Sequence, residues 1–180
     1  DGSVVAIGGI YDDDAASDAG HVRIYENDNG TWTQIGSDID GESSSDYFGW
    51  SVSLSDDGSV VAIGGIYDDD AASDAGHVRI YENDNGTWTQ IGSDIDGESS
   101  SDYFGWSVSL SDDGSVVAIG GIYDDDAASD AGHVRIYEND NGTWTQIGSD
   151  IDGESSSDYF GWSVSLSDDG SVVAIGGIYD

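Results

Sequence analysis

Hydrophobic and polar positions alternate strictly along Trp50-Ser51-Val52-Ser53-Leu54-Ser55, with Trp50, Val52 and Leu54 on one side and serines on the other. A period of two predicts a strand with one buried face. Asp56-Asp57-Gly58 follows as a hairpin turn, its glycine free to take positive φ. Ser59 to Ile66 is apolar on both sides, the pattern of a strand covered on both faces. After an acidic loop, His77-Val78-Arg79-Ile80-Tyr81 alternates again. Asn83-Asp84-Asn85-Gly86 is a turn signal, and Thr87-Trp88-Thr89-Gln90-Ile91 is a fourth strand. No segment has the 3.6-residue apolar spacing of a helix, and the 27 glycines interrupt every long run. The pattern predicts an all-β chain.

This set of strands recurs. Residues 1–56 are repeated without change as 57–112 and 113–168, and residues 169–180 begin a fourth copy, so the period is 56 with no linker between copies. Four antiparallel strands in such a unit suit a β-propeller blade or a rung of an open, β-solenoid-like array. One sheet of this kind cannot bury both faces alone, so neighbouring copies are expected to stack on it. Ala62, Gly64 and Gly65, in the most buried strand, permit a close approach between sheets. Closing a ring calls for more units than these, from a second chain or a longer one. Both ends carry the same second strand of the unit, which suits a segment taken from a longer array.

At Tyr47-Phe48-Gly49-Trp50-Ser51-Val52 and again at Val60-Val61-Ala62-Ile63-Gly64-Gly65, the unit resembles the FG-GAP repeat. That motif builds the blades of integrin α-subunit propellers and related extracellular proteins. The resemblance spans the whole unit. It implies propeller blades, an extracellular setting, and adhesion or interaction in place of catalysis. The chain departs from the family in two ways. Gly64-Gly65-Ile66 stands where the family has Gly-Ala-Pro, and the connection Ser55 to Ser59, where the family's calcium loop normally lies, is too short to wrap a cation.

Composition narrows the chemistry further. With 38 acidic residues against 3 arginines, the formal charge is −35. That leaves no basic surface for nucleic acid or for anionic lipid. No run of 18 apolar residues offers a membrane-spanning helix. The absence of cysteine excludes disulfides and thiolate-bound zinc. Two acidic loops are candidate calcium sites, the only cofactor the chain suggests. In the first, Asp38, Asp40, Glu42 and Asp46 space hard oxygen ligands along a loop that Gly41 allows to curl; the copies are Asp94, Asp96, Glu98, Asp102 and Asp150, Asp152, Glu154, Asp158. The second choice is Asp12, Asp14 and Asp18, repeated as Asp68, Asp70, Asp74 and Asp124, Asp126, Asp130. The simpler reading of either loop is a solvated connection.

Asn29, Asn85 and Asn141 each open an Asn-Gly-Thr sequon, which is also a preferred hairpin turn. Arg23, Arg79 and Arg135 are expected in structural ion pairs with nearby carboxylates, and His21 as a polar strand residue. No nucleophile, base and orienting group cluster within a unit, so no enzyme is expected. The function expected is that of a structural or adhesive extracellular repeat protein that associates with itself into a rod, fibre or filament. The alternative is a closed propeller of several chains serving as a binding scaffold.

Stacking units of this charge brings like charges together, a cost that salt or divalent cations reduce. The melting temperature is therefore expected to rise with ionic strength and, at low salt, to fall when a chelator is added. A melt unchanged by chelator at low ionic strength contradicts the cation requirement.

Overall fold

The computed structural model describes residues 2–179. Asp1 and Asp180, the outer bounds of the first unit and of the fourth fragment, lie outside the described residues. The first sheet holds β1 (Val4–Gly9), β2 (His21–Asp28), β3 (Thr31–Gln34) and β4 (Ile39–Asp40). The second holds β5 (Ser51–Leu54), β6 (Val60–Gly65), β7 (His77–Asp84), β8 (Thr87–Gln90) and β9 (Ile95–Asp96). The third repeats this with β10 (Phe104–Leu110), β11 (Val116–Gly121), β12 (His133–Asp140), β13 (Thr143–Gln146) and β14 (Ile151–Asp152). A last pair, β15 (Ser163–Leu166) and β16 (Val173–Gly176), begins a fourth.

All pairings between these strands are antiparallel, and the second sheet runs β5-β6-β7-β8 with β9 also on β7. Each full sheet takes its first strand from the end of one sequence unit and the rest from the next. The structural unit is thus out of phase with a count that starts at the first residue.

Two local rules set the strand ends. Asp84 pairs directly with Thr87, so only Asn85 and Gly86 form the turn, at φ 51° and 88°. Positive φ at both central residues is the type I′ hairpin, whose twist matches that of the strands. Asn83 therefore stays in β7, and its side-chain oxygen accepts the Gly86 N–H at 2.7 Å. The strand read from sequence as ending at Tyr81 runs three residues further for this reason. The two-residue β9 also goes beyond the sequence reading. It draws Asp96 into register with His77, so one predicted calcium-loop residue sits on a sheet edge.

Every residue of β6 and β11 is buried, as their two-sided apolar pattern predicts. The core is not inside any one sheet but between sheets. One cluster joins Val22, Ile24, Ile39 and Phe48 to Val61 and Ile63, and the next joins Val78, Ile80 and Ile95 to Phe104, Val117 and Ile119. The Trp88 and Trp144 indoles cross these junctions and donate to the Ile35 and Ile91 carbonyls at 2.9 and 3.0 Å.

The approach of the sheets is closest at glycine. A Cβ on Gly64 would lie 2.2 Å from the Gly105 carbonyl oxygen, the same atom that accepts the Ser51 hydroxyl at 2.7 Å. Gly105 itself has φ 91° and falls within the irregularity of register between Phe104 and Ser107. Gly64→Ala and Gly120→Ala are each expected to destabilise the fold by about 1–3 kcal/mol, the cost of overpacking a close-packed interior. Thermal melts check this, with Thr33→Ala, at an exposed position of β3, as the control for a change away from the junction.

Candidate functional site

Two of the chain's three arginines, Arg79 and Arg135, are placed at the junctions between sheets. Arg79, on β7, is 1% exposed. Its Nε donates to Asp94 at 2.8 Å, and its Nη2 lies 3.0 Å from Glu42 of the preceding unit. The guanidinium carbon stands 5.7 Å from the centre of the Phe48 ring, within cation–π range. Gln90 holds the other oxygen of Asp94 at 2.6 Å. Arg135 repeats the arrangement with Asp150, Glu98 and Phe104. Burial alone would lower the pKa of Arg79, but Asp94 outweighs it and the guanidinium is held above its ordinary value. Arg23 lies on the outward side of the first sheet; it bonds Asp38 at 2.8 Å and its side chain is 39% exposed.

A second buried group lies beside each arginine. His77, fully buried, has Nδ1 3.1 Å from Asp68, while its Nε2 is buried without a hydrogen-bond partner among the described residues. The Phe48 ring stacks on it at 5.8 Å. Burial would raise the Asp68 carboxyl, yet the contact with His77 prevails and holds it below the usual range. Asp46, from the preceding unit, is 2% exposed and accepts the Ser43 N–H at 2.8 Å. Burial, opposed by that hydrogen bond and reinforced by the neighbouring Asp68, pushes Asp46 up to about 6; Asp102 is likewise raised to about 6.

The sequence-predicted ligands of the first loop face different partners. Asp38 is held by Arg23 and Gln34, Asp40 pairs with His21 across the strand register, Glu42 reaches Arg79 in the next unit, and Asp46 is turned inward. In the second loop, Asp12 lies 2.9 Å from His21, and Asp14 donates its N–H to Asp12. Asp18 stands at φ 53° with its N–H on Asp13.

The group of carboxylates that does converge crosses the loops. Among the described residues, oxygens of Glu98, Asp126 and Asp150 lie within 4.8 Å of one another. Two of these three also grip Arg135, which supplies positive charge at that point. Asn29, Asn85 and Asn141 sit exposed at the tips of type I′ turns.

Sequence patterning also missed the aromatic columns. Tyr11, Tyr47, Tyr67, Tyr103, Tyr123, Tyr159 and Tyr179 form one unbroken edge-to-face series, with ring centres 4.9 to 5.8 Å apart. Trp50, Trp106 and Trp162 form another at 4.8 and 4.7 Å. Tyr47, Tyr103 and Tyr159 adopt φ of 54°, 53° and 52°, a left-handed backbone that a side chain with a Cβ adopts at a cost. The sequence marks these positions as aromatic, but stacking across units depends on which loops face each other.

Stacked antiparallel sheets of this kind define a propeller-like repeat protein. Residues 38–81 and 94–137 match the FG-GAP repeat, so the chain carries FG-GAP repeats in tandem. Each match begins at the first acidic loop and ends on the strand that bears the buried arginine. No curated protein matches the chain. Among solved structures it is similar to a 6-phosphogluconolactonase-like protein of Bacteroides uniformis, with TM-score 0.52 and 15% identity, over 87% of this chain and 37% of that one. At that identity the likeness concerns the fold alone, and this chain spans little more than a third of that protein.

The raised carboxyls at Asp46 and Asp102 give stability a definite pH dependence. Between their folded value near 6 and the unfolded value near 4, the folded state binds protons that the unfolded chain does not, so stability grows as the pH falls through this window. Below about 4, the carboxylates held low, Asp57, Asp68, Asp113 and Asp124, lose their contribution as they protonate. The melting temperature is expected to rise from pH 7 to about 5 and to drop below about 4. Asp46→Asn with Asp102→Asn is expected to raise it at pH 7 and to flatten the rise. A rise of undiminished size in that double variant contradicts this assignment.

Proposed function

We propose that the chain is a structural or adhesive extracellular repeat protein, whose identical sheets pack through one recurring junction and associate with further copies into a rod or filament. The observation that carries this reading is the sameness of the internal junctions. The arginine grip and the indole hydrogen bond recur at the first and second junctions, and the serine bond with its glycine contact at the second and at the one before β15, with distances matching to within about 0.2 Å. The outer faces of the described array present the same residues. Ile7 is 53% exposed where its counterpart Ile63 is 0%, and Trp32 is 48% exposed where Trp88 is half-buried. A second copy would find there the surface that already binds a neighbour within the chain. FG-GAP repeats are typical of extracellular, integrin-type proteins, which supports the setting.

The second reading is a closed propeller completed by more than one chain and used as a binding scaffold; the similarity in fold to the Bacteroides uniformis protein favours it. Under either reading, calcium would engage the hard oxygens of Glu98, Asp126 and Asp150. Among the described residues, Arg135 pairs with Glu98 and Asp150 of that set and leaves Asp126 to the cation. Glycans on Asn29, Asn85 and Asn141 would project from exposed turn tips.

Electron microscopy with calcium, beside a chelated sample, tests the proposal. Filaments with an axial repeat set by stacked sheets are expected. Discrete rings favour the closed propeller and defeat the filament. Loss of filaments on chelation places cations in the assembly.

A further inference from the structure

We propose that the tyrosine column is a site of oxidative modification, at which a one-electron oxidant of the peroxidase and hydrogen peroxide class joins neighbouring rungs as dityrosine and so ties unit to unit covalently.

Geometry supports this first. Tyr47 contacts Tyr67 and Tyr103 contacts Tyr123, edge to face, at 4.9 and 5.0 Å between ring centres. These distances place each phenol against the next with nothing between. Open space lies beside the rings. Tyr47 and Tyr67 border a cleft of about 240 Å³ with Ser44, Ser45, Asp69 and Asp74, and Tyr103 and Tyr123 border the equivalent cleft of about 170 Å³. The space lets a half-buried ring turn until its ortho carbon meets that of its neighbour. The left-handed backbone at Tyr47, Tyr103 and Tyr159 is what puts every second ring into the column. Strain of this kind persists only where the surrounding structure holds it in place.

Chemistry supports it next. Two phenols each give up one electron and one proton. The two radicals form a bond between ortho carbons, and a proton shift from ring carbon to oxygen restores both phenols. The pair loses two hydrogen atoms, and one hydrogen peroxide takes up two electrons and two protons to become two waters. Carboxylates line the same clefts, Asp74 beside the first pair and Asp130 beside the second, as bases for the departing protons. The rungs come from identical units, so an electron vacancy on one ring finds a nearly equal site on the next.

Charge decides which pairs couple. Chains of net charge −35 repel one another, so two radicals on separate chains meet slowly at low salt, whereas neighbouring rungs are already in contact. The coupling is therefore expected within the chain. Tyr25, Tyr81 and Tyr137 lie on β2, β7 and β12, outside the column, and serve as controls.

The test is to treat the protein at low ionic strength with peroxidase and limiting peroxide, then measure dityrosine fluorescence, intact mass and chain size. The wild-type protein is expected to run as a single chain under denaturing conditions, gain dityrosine fluorescence, lose two hydrogens per cross-link and melt at a higher temperature. Tyr47→Phe, Tyr103→Phe and Tyr159→Phe together keep the packing but separate the remaining phenols, and are expected to abolish the cross-link. Tyr25→Phe, Tyr81→Phe and Tyr137→Phe together are expected to keep it. If the first set does not fold, Phe at Tyr11, Tyr67, Tyr123 and Tyr179 breaks the same column from the opposite rungs. Dityrosine that survives a broken column, forms only between chains, or fails to form in the wild-type chain overturns the proposal.

Discussion

The central constraint is that each sheet is apolar on both faces and four strands cannot cover themselves. Val60 to Gly65 is buried throughout only because a neighbouring sheet lies on each side of it. Stability is therefore a property of junctions, each with its own apolar cluster. The tight fit at Gly64 against the Gly105 carbonyl sets the spacing between sheets, and the serine and indole hydrogen bonds fix their register around it.

Electrostatics acts on the same junctions with the opposite sign. An array with 38 acidic residues and 3 arginines is strongly self-repelling. The fold stacks like charges directly in one place: the Asp56 N–H donates to the Asp112 carbonyl and the Asp112 N–H to the Asp168 carbonyl, each at 2.9 Å. Burial, then Asp168 and Asp56, raise the Asp112 carboxyl. Against this, the internal arginines are not spent on the surface. Arg79 and Arg135 are buried where carboxylates from two units meet, and each offsets charge that stacking itself brings together. A guanidinium left without those partners would be costly to bury, so the grip is a condition of the junction as well as a contributor to it.

Perfect repetition gives this design its physical character. Identical units make every junction equivalent, so contacts that run across units become continuous series: a tyrosine column, a tryptophan column and a line of stacked turns. A divergent repeat protein would break such series wherever one rung changed. The same repetition leaves outer faces that match the inner ones, which links the packing of the chain to the proposed association of copies.

Much of the fold was legible in the sequence because it depends on local rules. Alternation gave Trp50 to Ser55 as a strand, the two-sided apolar run gave β6, Asn-Gly gave the turn, and the repeat gave the stacking. The arginines' pairing with carboxylates was also expected, since one cation among twelve acids per unit has few other fates. The positions of the carboxylates were not legible. Asp38, Asp40, Glu42 and Asp46 are neighbours in sequence, yet a strand pair, a neighbouring unit's arginine and a buried turn send them apart. Glu98, Asp126 and Asp150 are distant in sequence and meet in space. The strands, the turns and the fact of stacking could be read from the chain because they follow from side-chain period and backbone preference. Which loops face across a junction, and with them the histidine pairs, the raised carboxyls and the tyrosine column, could not, because those depend on the offset between one sheet and the next.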